Sequence, residues 1–585
     1  MGFGWAIGRP GMKMAAWFPS LDKEGVAQTC SLGLRLLVRG RWDSRRPWKA
    51  GLRYPLNEEG SCFHSSGGMT VFLLWLVLLL PRLACGAPGP IQYLLDLRDS
   101  ASHRLGVVMT IPEAGPSTEL QFPAWNNLYQ IRDFARNIEG LSAQCDGTQE
   151  HLARLDLYTW RAEARPCAKL SLQYAVYVSG SPPFSSSFDS EHAFLNFASL
   201  LFYLPEDRER AVRVKLLLPA GWEVATLLAG DGDGFAAPNY DALVDSPTEA
   251  GHFQDYHYTQ GSAAYRVVVH ADPKDYAADR LLASLAKITA SETALMRDVP
   301  FSLYTFIFHF PREEGGGGGM EHRNGAAITL AASELREHWE HFEDVAAHEF
   351  FHLWNVKRIR PQRLEPIDYV HGNDTRDLWF SEGVTNTYAE LVLLRAGLIS
   401  RKTFYSRLAA AMETLEARPA RFFESAEESG LEAWFEKYYD YSRPQRSVSY
   451  YNKGELLGFL LDLALRHSTA NRAGLDDAMR RLNEDFARSG QCFTEDDLRR
   501  VLAQLAPAFS GLEAFFRDYV QGSRELDYGT YLDYAGLKLE SERRPGANPE
   551  VAYRVKEIAS PSPEQLRVRE GWLRGEAAPA AAVQP

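Results

Sequence analysis

The run His348-Glu349-Phe350-Phe351-His352 decides how this chain is read. It lies in a segment, 344–356, that is apolar almost all the way round and carries helical periodicity. On a helix, residues four apart share a face about one turn from each other, so His348 and His352 can close on one metal ion. Glu349 stands beside them but off that axis, placed to take a proton from water rather than to bind the ion. Chance yields H-E-x-x-H somewhere in 585 residues with odds on the order of a few per cent. Three titratable side chains on a mostly buried helix are also costly without a partner such as a metal.

A zinc ion held in this way needs a third protein ligand and an open position for water. Leu378-Trp379-Phe380-Ser381-Glu382-Gly383 opens the next helical segment, 383–396, and offers Glu382 as that ligand. The bland alternative is that Glu382 only complements the helix dipole. Asp377 and Glu390 are weaker ligand candidates, and Asn386, one turn after Glu382, is placed to support a ligand from behind.

Upstream, short alternating segments at 105–111, 169–177 and 212–218 are separated by clusters of Gly, Pro and Asp, the pattern of an antiparallel β domain over 88–270. The character changes after Asp272. Residues 277–296 are helical in period, 301–310 and 326–331 read as strands, and the glycine run Gly315 to Gly319 lies between those strands. Beyond Glu337 the long segments 402–416, 453–466 and 475–485 are helical. The expected class is therefore α+β and multidomain: an N-terminal antiparallel β domain (88–270), a zinc catalytic domain (271–400), a C-terminal α-helical domain (401–539) and a short tail (540–585).

Length and composition agree, since 585 residues suit about three or four units of ordinary globular usage, with 45% apolar and 24% charged residues. Residues 1–87 hold 11 Lys and Arg against 5 Asp and Glu, so the remaining body is strongly acidic within the net charge of -13. An acidic body gives no electrostatic reason to bind nucleic acid. Val71 to Leu80 is an unbroken apolar run followed by Pro81 and small residues, too short for a bilayer span. It reads as a signal peptide over 69–87, which implies an exported chain with no membrane span once processed; a single-pass anchor with a basic cytoplasmic tail is the rival. Residues 1–68 form an uncertain upstream extension, with Met69 as the expected working start. Of six cysteines, Cys145, Cys167 and Cys492 lie in the body, and a Cys145 to Cys167 bridge is open in an exported protein.

The stretch His348-Glu-Phe-Phe-His-Leu-Trp-Asn-Val-Lys-Arg-Ile-Arg-Pro361, with Leu378-Trp-Phe-Ser-Glu-Gly383 and Ser449-Tyr-Tyr-Asn-Lys-Gly454, resembles the glycyl aminopeptidase family of gluzincin metallopeptidases. The resemblance runs from about Tyr93 to Leu539. It implies a thermolysin-like catalytic domain behind the β domain, one zinc ion on His348, His352 and Glu382, and Glu349 as general base. It also implies Tyr451 as the hydroxyl facing the reacting carbonyl, where a phenol can donate to a developing oxyanion; packing beneath the following helix is the alternative role for Tyr451 or its neighbour Tyr450. Gly318-Gly319-Met320-Glu321-His322 is similar to the Gly-x-Met-Glu-Asn motif of related aminopeptidases, with His322 in place of Asn. There Gly319 and Met320 would lie along an extended peptide and Glu321 would meet its ammonium group. A solvated loop is the alternative for that motif.

Family members usually continue into a PDZ domain, and the residues after Leu539 are too few for a complete one. The expectation is an exported zinc aminopeptidase acting on peptide substrates, with the family implying a taste for small N-terminal residues such as glycine. Its rivals are a zinc endopeptidase with the same site and a non-catalytic peptide-binding relative.

Overall fold

The computed structural model describes residues 88–126, 129–163, 165–312, 317–435, 442–543 and 551–575. The signal peptide and upstream extension expected over 1–87 lie outside these residues, as do Gly315 and Gly316.

The β domain is built on an eight-stranded sheet whose central strands are Ile91–Asp96, Arg104–Ala114 and Cys167–Tyr177. Side chains along Arg104–Ala114 alternate between buried and part-exposed, which is how a strand covers a core with one face. The sheet is antiparallel except at one place, where Ile91–Asp96 runs parallel to Val212–Leu217. That pair joins strands far apart in sequence, so alternation within either one could not reveal it. Cys145 and Cys167 come close at the end of this sheet as free thiols, and no bridge joins them.

The catalytic sheet has five strands in the order Gln254–Gln260, Ala263–His270, Leu303–His309, Gly325–Thr329, Gly318–His322. Its first two strands fall on the β-domain side of the boundary drawn at 270 from the sequence. The strand Ala263–His270 pairs in parallel with Leu303–His309, which carries the hairpin into the catalytic layer. A four-stranded sheet of the β domain packs over the catalytic sheet, with Phe194 and Ala225 meeting Val268, Ile307 and Ala327 in a small apolar layer.

On its other side the catalytic sheet is covered by the helices Ala278–Met296 and Trp339–Phe351, which share one large core with the helical domain. The helix Tyr450–Ser468 runs through that core with nearly every residue buried. Residues beyond 539 are more than a tail: the strands Leu537–Arg543 and Val551–Glu557 form a hairpin, and the helix Pro563–Arg574 follows. That helix starts on a Ser562–Gln565 capping box and buries Trp572 against Phe404 and Phe459, an apolar anchor that fixes it to the helical domain. Among the described residues no helix is long and apolar enough to cross a membrane.

Candidate active site

The helix Trp339–Phe351 presents its buried face to the catalytic sheet through Phe342, Ala346 and Phe350, and this turns His348 and His352 toward the neighbouring helical layer. Backbone and amide acceptors fix both rings. His352 Nδ1 lies 2.6 Å from Asn355 O, and His348 Nδ1 lies 2.7 Å from Asn386 Oδ1. A carbonyl can only accept, so each Nδ1 carries a proton and each Nε2 is left facing the cluster.

Those two Nε2 atoms are 2.9 Å apart, and each is 3.3 Å from Glu382 Oε2. Ligand atoms about 2 Å from one ion and tetrahedrally disposed lie about 3.3 Å from each other. Two imidazole nitrogens and a carboxylate converging at this spacing, with His352 and Glu382 buried and His348 part-buried, could hold a metal ion between them. The donor set of two imidazoles and one carboxylate fits zinc. Without an ion, burial depresses His348, and the charge of His352 adds to the effect. Burial also works against a charged His352, but Glu382, with help from Glu321 and Glu349, overrides it and pushes this imidazole up to about 10. Glu382 is held far below the usual carboxylate range by the two imidazoles, despite the opposing cost of its burial. The cluster is thus built to hold positive charge at its centre.

Glu382 sits in a π-helical turn, Trp379–Val384, which precedes the regular helix Thr385–Arg395. The turn docks backbone to backbone on the helix Tyr450–Ser468: a Cβ on Gly383 would lie 2.4 Å from Gly454 Cα, and one on Gly454 would lie 2.4 Å from Trp379 O. The glycine that closes the Tyr-x-Lys-Gly stretch therefore has a steric reason, since it sets the helix carrying Tyr451 against the turn carrying Glu382. The Tyr451 ring stacks on Tyr450 and lies 6.1 Å from the His348 ring, centroid to centroid.

Glu349 is buried, and its Oε2 has no hydrogen-bond partner among the described residues. Burial raises it well above the usual range, reinforced by Glu321 and Glu382 and opposed by His352. The strand Gly318–His322 lies at the edge of the sheet and presses on Glu349, for a Cβ on Gly319 would come within 2.1 Å of Glu349 Oε1. Glu321, two residues on and so on the same face, has a carboxylate oxygen within 4.8 Å of ligand atoms of Glu349 and His352.

The alternate face of this strand belongs to the β domain. Asn196 Nδ2 approaches Met320 Sδ at 3.7 Å, and His322 Nδ1 lies 3.3 Å from Asp245 Oδ1. Asp245 also accepts from Lys357 Nζ at 2.7 Å and from the Arg323 amide at 2.9 Å. The histidine standing where the related motif has Asn is therefore engaged with the neighbouring domain.

The structure brings His348, His352, Glu382, Glu349, Glu321 and Gly319 to one place and sets Tyr451 beside them. Met320 points away from the cluster. Asp377 accepts from Thr375 Oγ1, and Glu390 pairs with Arg407 at 3.0 Å. Sequence reasoning overlooked Asp245, which carries no local signal, and the residues of the Trp354-to-Arg358 stretch as individuals. Trp354 Nε1 donates to Asp298 Oδ2, Lys357 reaches Asp245, and Arg358 donates to Arg323 O, Asn324 Oδ1 and Pro300 O. Each ties the end of the His-bearing helix to a different element.

Comparison with known proteins supports a peptidase. The M61 glycyl aminopeptidase family matches residues 341–457, and the peptidase M61 N-terminal domain matches residues 92–252. The chain thus carries an M61 glycyl aminopeptidase domain behind an M61 N-terminal domain. Among solved structures it is similar to an aminopeptidase N family protein from Idiomarina loihiensis, at 27% identity and a TM-score of 0.74 over 78% of this chain and 80% of that one. An M1 zinc metallopeptidase from Deinococcus radiodurans is more distant, at 16% identity and a TM-score of 0.46 over 75% of this chain and 94% of that one. No curated protein matches the chain.

Proposed function

We propose that this protein is an exported, zinc-dependent aminopeptidase that removes small N-terminal residues such as glycine from peptides. The observation that carries the reading is the convergence of His348 Nε2, His352 Nε2 and Glu382 Oε2 at separations of 2.9 and 3.3 Å. Those three atoms would hold one zinc ion, which when bound polarises a carbonyl and makes a water more acidic.

The remaining chemistry belongs to the chain. Glu321 pairs with the substrate ammonium, and the free edge of the strand Gly318–His322 lets a peptide lie alongside, so the scissile bond is counted from the N-terminus. Glu349 takes the proton from the attacking water and hands it to the leaving nitrogen. Its buried Oε2, free of any competing donor among the described residues, supports that role. Tyr451 donates its phenol to the oxyanion of the tetrahedral intermediate. The preference for glycine is supported by the family match, and export by the apolar run Val71 to Leu80.

The test is metal analysis of the purified protein together with turnover of free and N-acetylated aminoacyl substrates. One equivalent of zinc is expected, with cleavage of free glycyl substrates and none of acetylated ones. Equal cleavage of blocked substrates would replace the aminopeptidase with an endopeptidase, and a fully active metal-free protein would remove the zinc chemistry altogether.

A further inference from the structure

One buried polar side chain beside the cluster takes no part in the chemistry above. Asn355 follows the His-bearing helix and is wholly enclosed. Its main-chain carbonyl receives His352 Nδ1 at 2.6 Å. Its side-chain Nδ2 donates to Phe380 O at 2.8 Å, Ser381 O at 3.3 Å and Thr385 Oγ1 at 3.0 Å. Those three acceptors bracket Glu382 in the sequence.

The π-helical winding of Trp379–Val384 explains why a donor is needed there. A turn wound wider than the α-helix breaks the regular i to i+4 ladder, so carbonyls at the break need donors from outside it. Thr385 Oγ1 serves Ser381 O at 2.7 Å, and the Asn355 amide serves Phe380 O and Ser381 O together. The next residue, Val356, is held at a φ of 124°, a region a β-branched residue scarcely visits. Strain of this kind persists only where neighbouring contacts outweigh it. Here the tight bend lets the backbone of Asn355 face one proposed ligand while its side chain faces the turn that carries another.

We infer that Asn355 is a positioning residue of the centre: its carbonyl sets the ring of His352, and its amide holds the π-wound turn that aims Glu382. The inference rests on the zinc peptidase reading for its catalytic consequence, but not for the hold on the turn. It also explains why an asparagine is required at this point. Aspartate has nearly the same shape, yet it would set a carboxylate oxygen against two carbonyls and lose every donated bond.

The experiment compares Asn355→Ala, Asn355→Asp and the wild type. Thr469→Val serves as a control that removes a buried hydroxyl bonded to Leu465 O and Ala473 O at the far end of the helix Tyr450–Ser468. The readouts are the rate of zinc release to a chelator from folded protein, kcat and KM on a glycyl substrate, and hydrogen–deuterium exchange over residues 379–384 in the metal-free protein. Both Asn355 variants are expected to release zinc roughly 10- to 100-fold faster. Their kcat should fall while KM stays within about threefold, because the strand bearing Glu321 is untouched. Asn355→Asp should be at least as damaging as Asn355→Ala, and the control should move none of these quantities. Should the alanine variant fail to fold, Asn355→Ser provides a smaller perturbation in the same direction. Zinc release within twofold of the wild type for both variants overturns the inference. If the wild type bound no metal, the peptidase reading would fall by itself. The exchange experiment would then decide: faster exchange at 379–384 upholds the role of Asn355, and unchanged exchange removes it.

Discussion

Glycine 319 shows how closely single atoms are fitted around the proposed base. With no side chain it lets the edge strand lie against Glu349; a methyl group would stand 2.1 Å from Oε1. Gly319→Ala must therefore displace the carboxylate, and a shift of about 1 Å at a catalytic group can cost on the order of 10²-fold in rate. The expected outcome is a kcat reduced by about that factor with the metal content unchanged, measured by steady-state kinetics and elemental analysis of the same sample. Tyr451→Phe separates the phenol from its ring. It keeps the stacking on Tyr450 and removes only the hydroxyl, so kcat is expected to drop about 10²- to 10³-fold with KM nearly constant. A fall in KM or an unaltered kcat would leave Tyr451 a packing residue. At this scale the sequence was most legible where the geometry is local. Two histidines four apart must share a helical face, whereas the engagement of Met320 with Asn196 follows only from the strand's place between two domains.

Elements meet at this site through backbone rather than through long side chains, and that is where reading from sequence stops. The glycines at 383 and 454 have no individual signal, yet each would drive a Cβ to 2.4 Å from main-chain atoms of the other element. Main chain cannot swing aside as a flexible side chain can, so Gly454→Ala should part the helix Tyr450–Ser468 from the turn Trp379–Val384. We expect a stability loss of about 2–4 kcal/mol with faster loss of bound metal, measured by urea unfolding and chelator competition. Helical periodicity correctly marks most of the long helices, because each buries a face whose spacing is written in its own residues. It misses the π-helical character of 379–384, since a wider turn depends on donors such as Asn355 supplied from another element. It also leaves Gln254–Gln260 and Ala263–His270, which join the five-stranded sheet, on the β-domain side of the boundary drawn at 270. Alternation shows that a strand has two faces, but not which sheet its edge will join.

At the scale of the whole chain, the β domain and the catalytic sheet are joined by a buried ionic cluster set at the margin of their apolar contact. Glu249 is fully enclosed. His309 Nε2 lies 2.9 Å from its Oε2, His192 Nδ1 lies 3.1 Å from its Oε1, and His270 stacks on His192 at 3.9 Å; Asp189 stands 3.8 Å from His192 Nε2. Burial alone would raise Glu249, but His309 and His192 outweigh it and hold the carboxyl at about 2. Burial works against a charged His192, yet Glu249, with smaller help from Asp189 and Glu191, raises it above its ordinary value. The signs fix a window. A depressed carboxyl stabilises the fold above its unfolded value of about 4.3 and loses that contribution as the pH falls toward 2, while a raised imidazole contributes fully below about 6.5 and loses its share as the pH climbs. His270 acts in the contrary sense, since burial and then His192 depress it to about 4, so it penalises the fold below about 6.5. That penalty comes chiefly from burial and is largely common to the wild type and a Glu249→Gln variant, so the difference between the two proteins isolates the glutamate. The wild type should exceed the variant by up to about 3 kcal/mol between roughly pH 4.5 and 6.5, and the gap should narrow on both sides. Urea unfolding midpoints of both proteins across about pH 3 to 9 read this directly. A difference that stays level across the range would mean that Glu249 acts by shape and hydrogen bonding, with its charge playing no part in joining the domains.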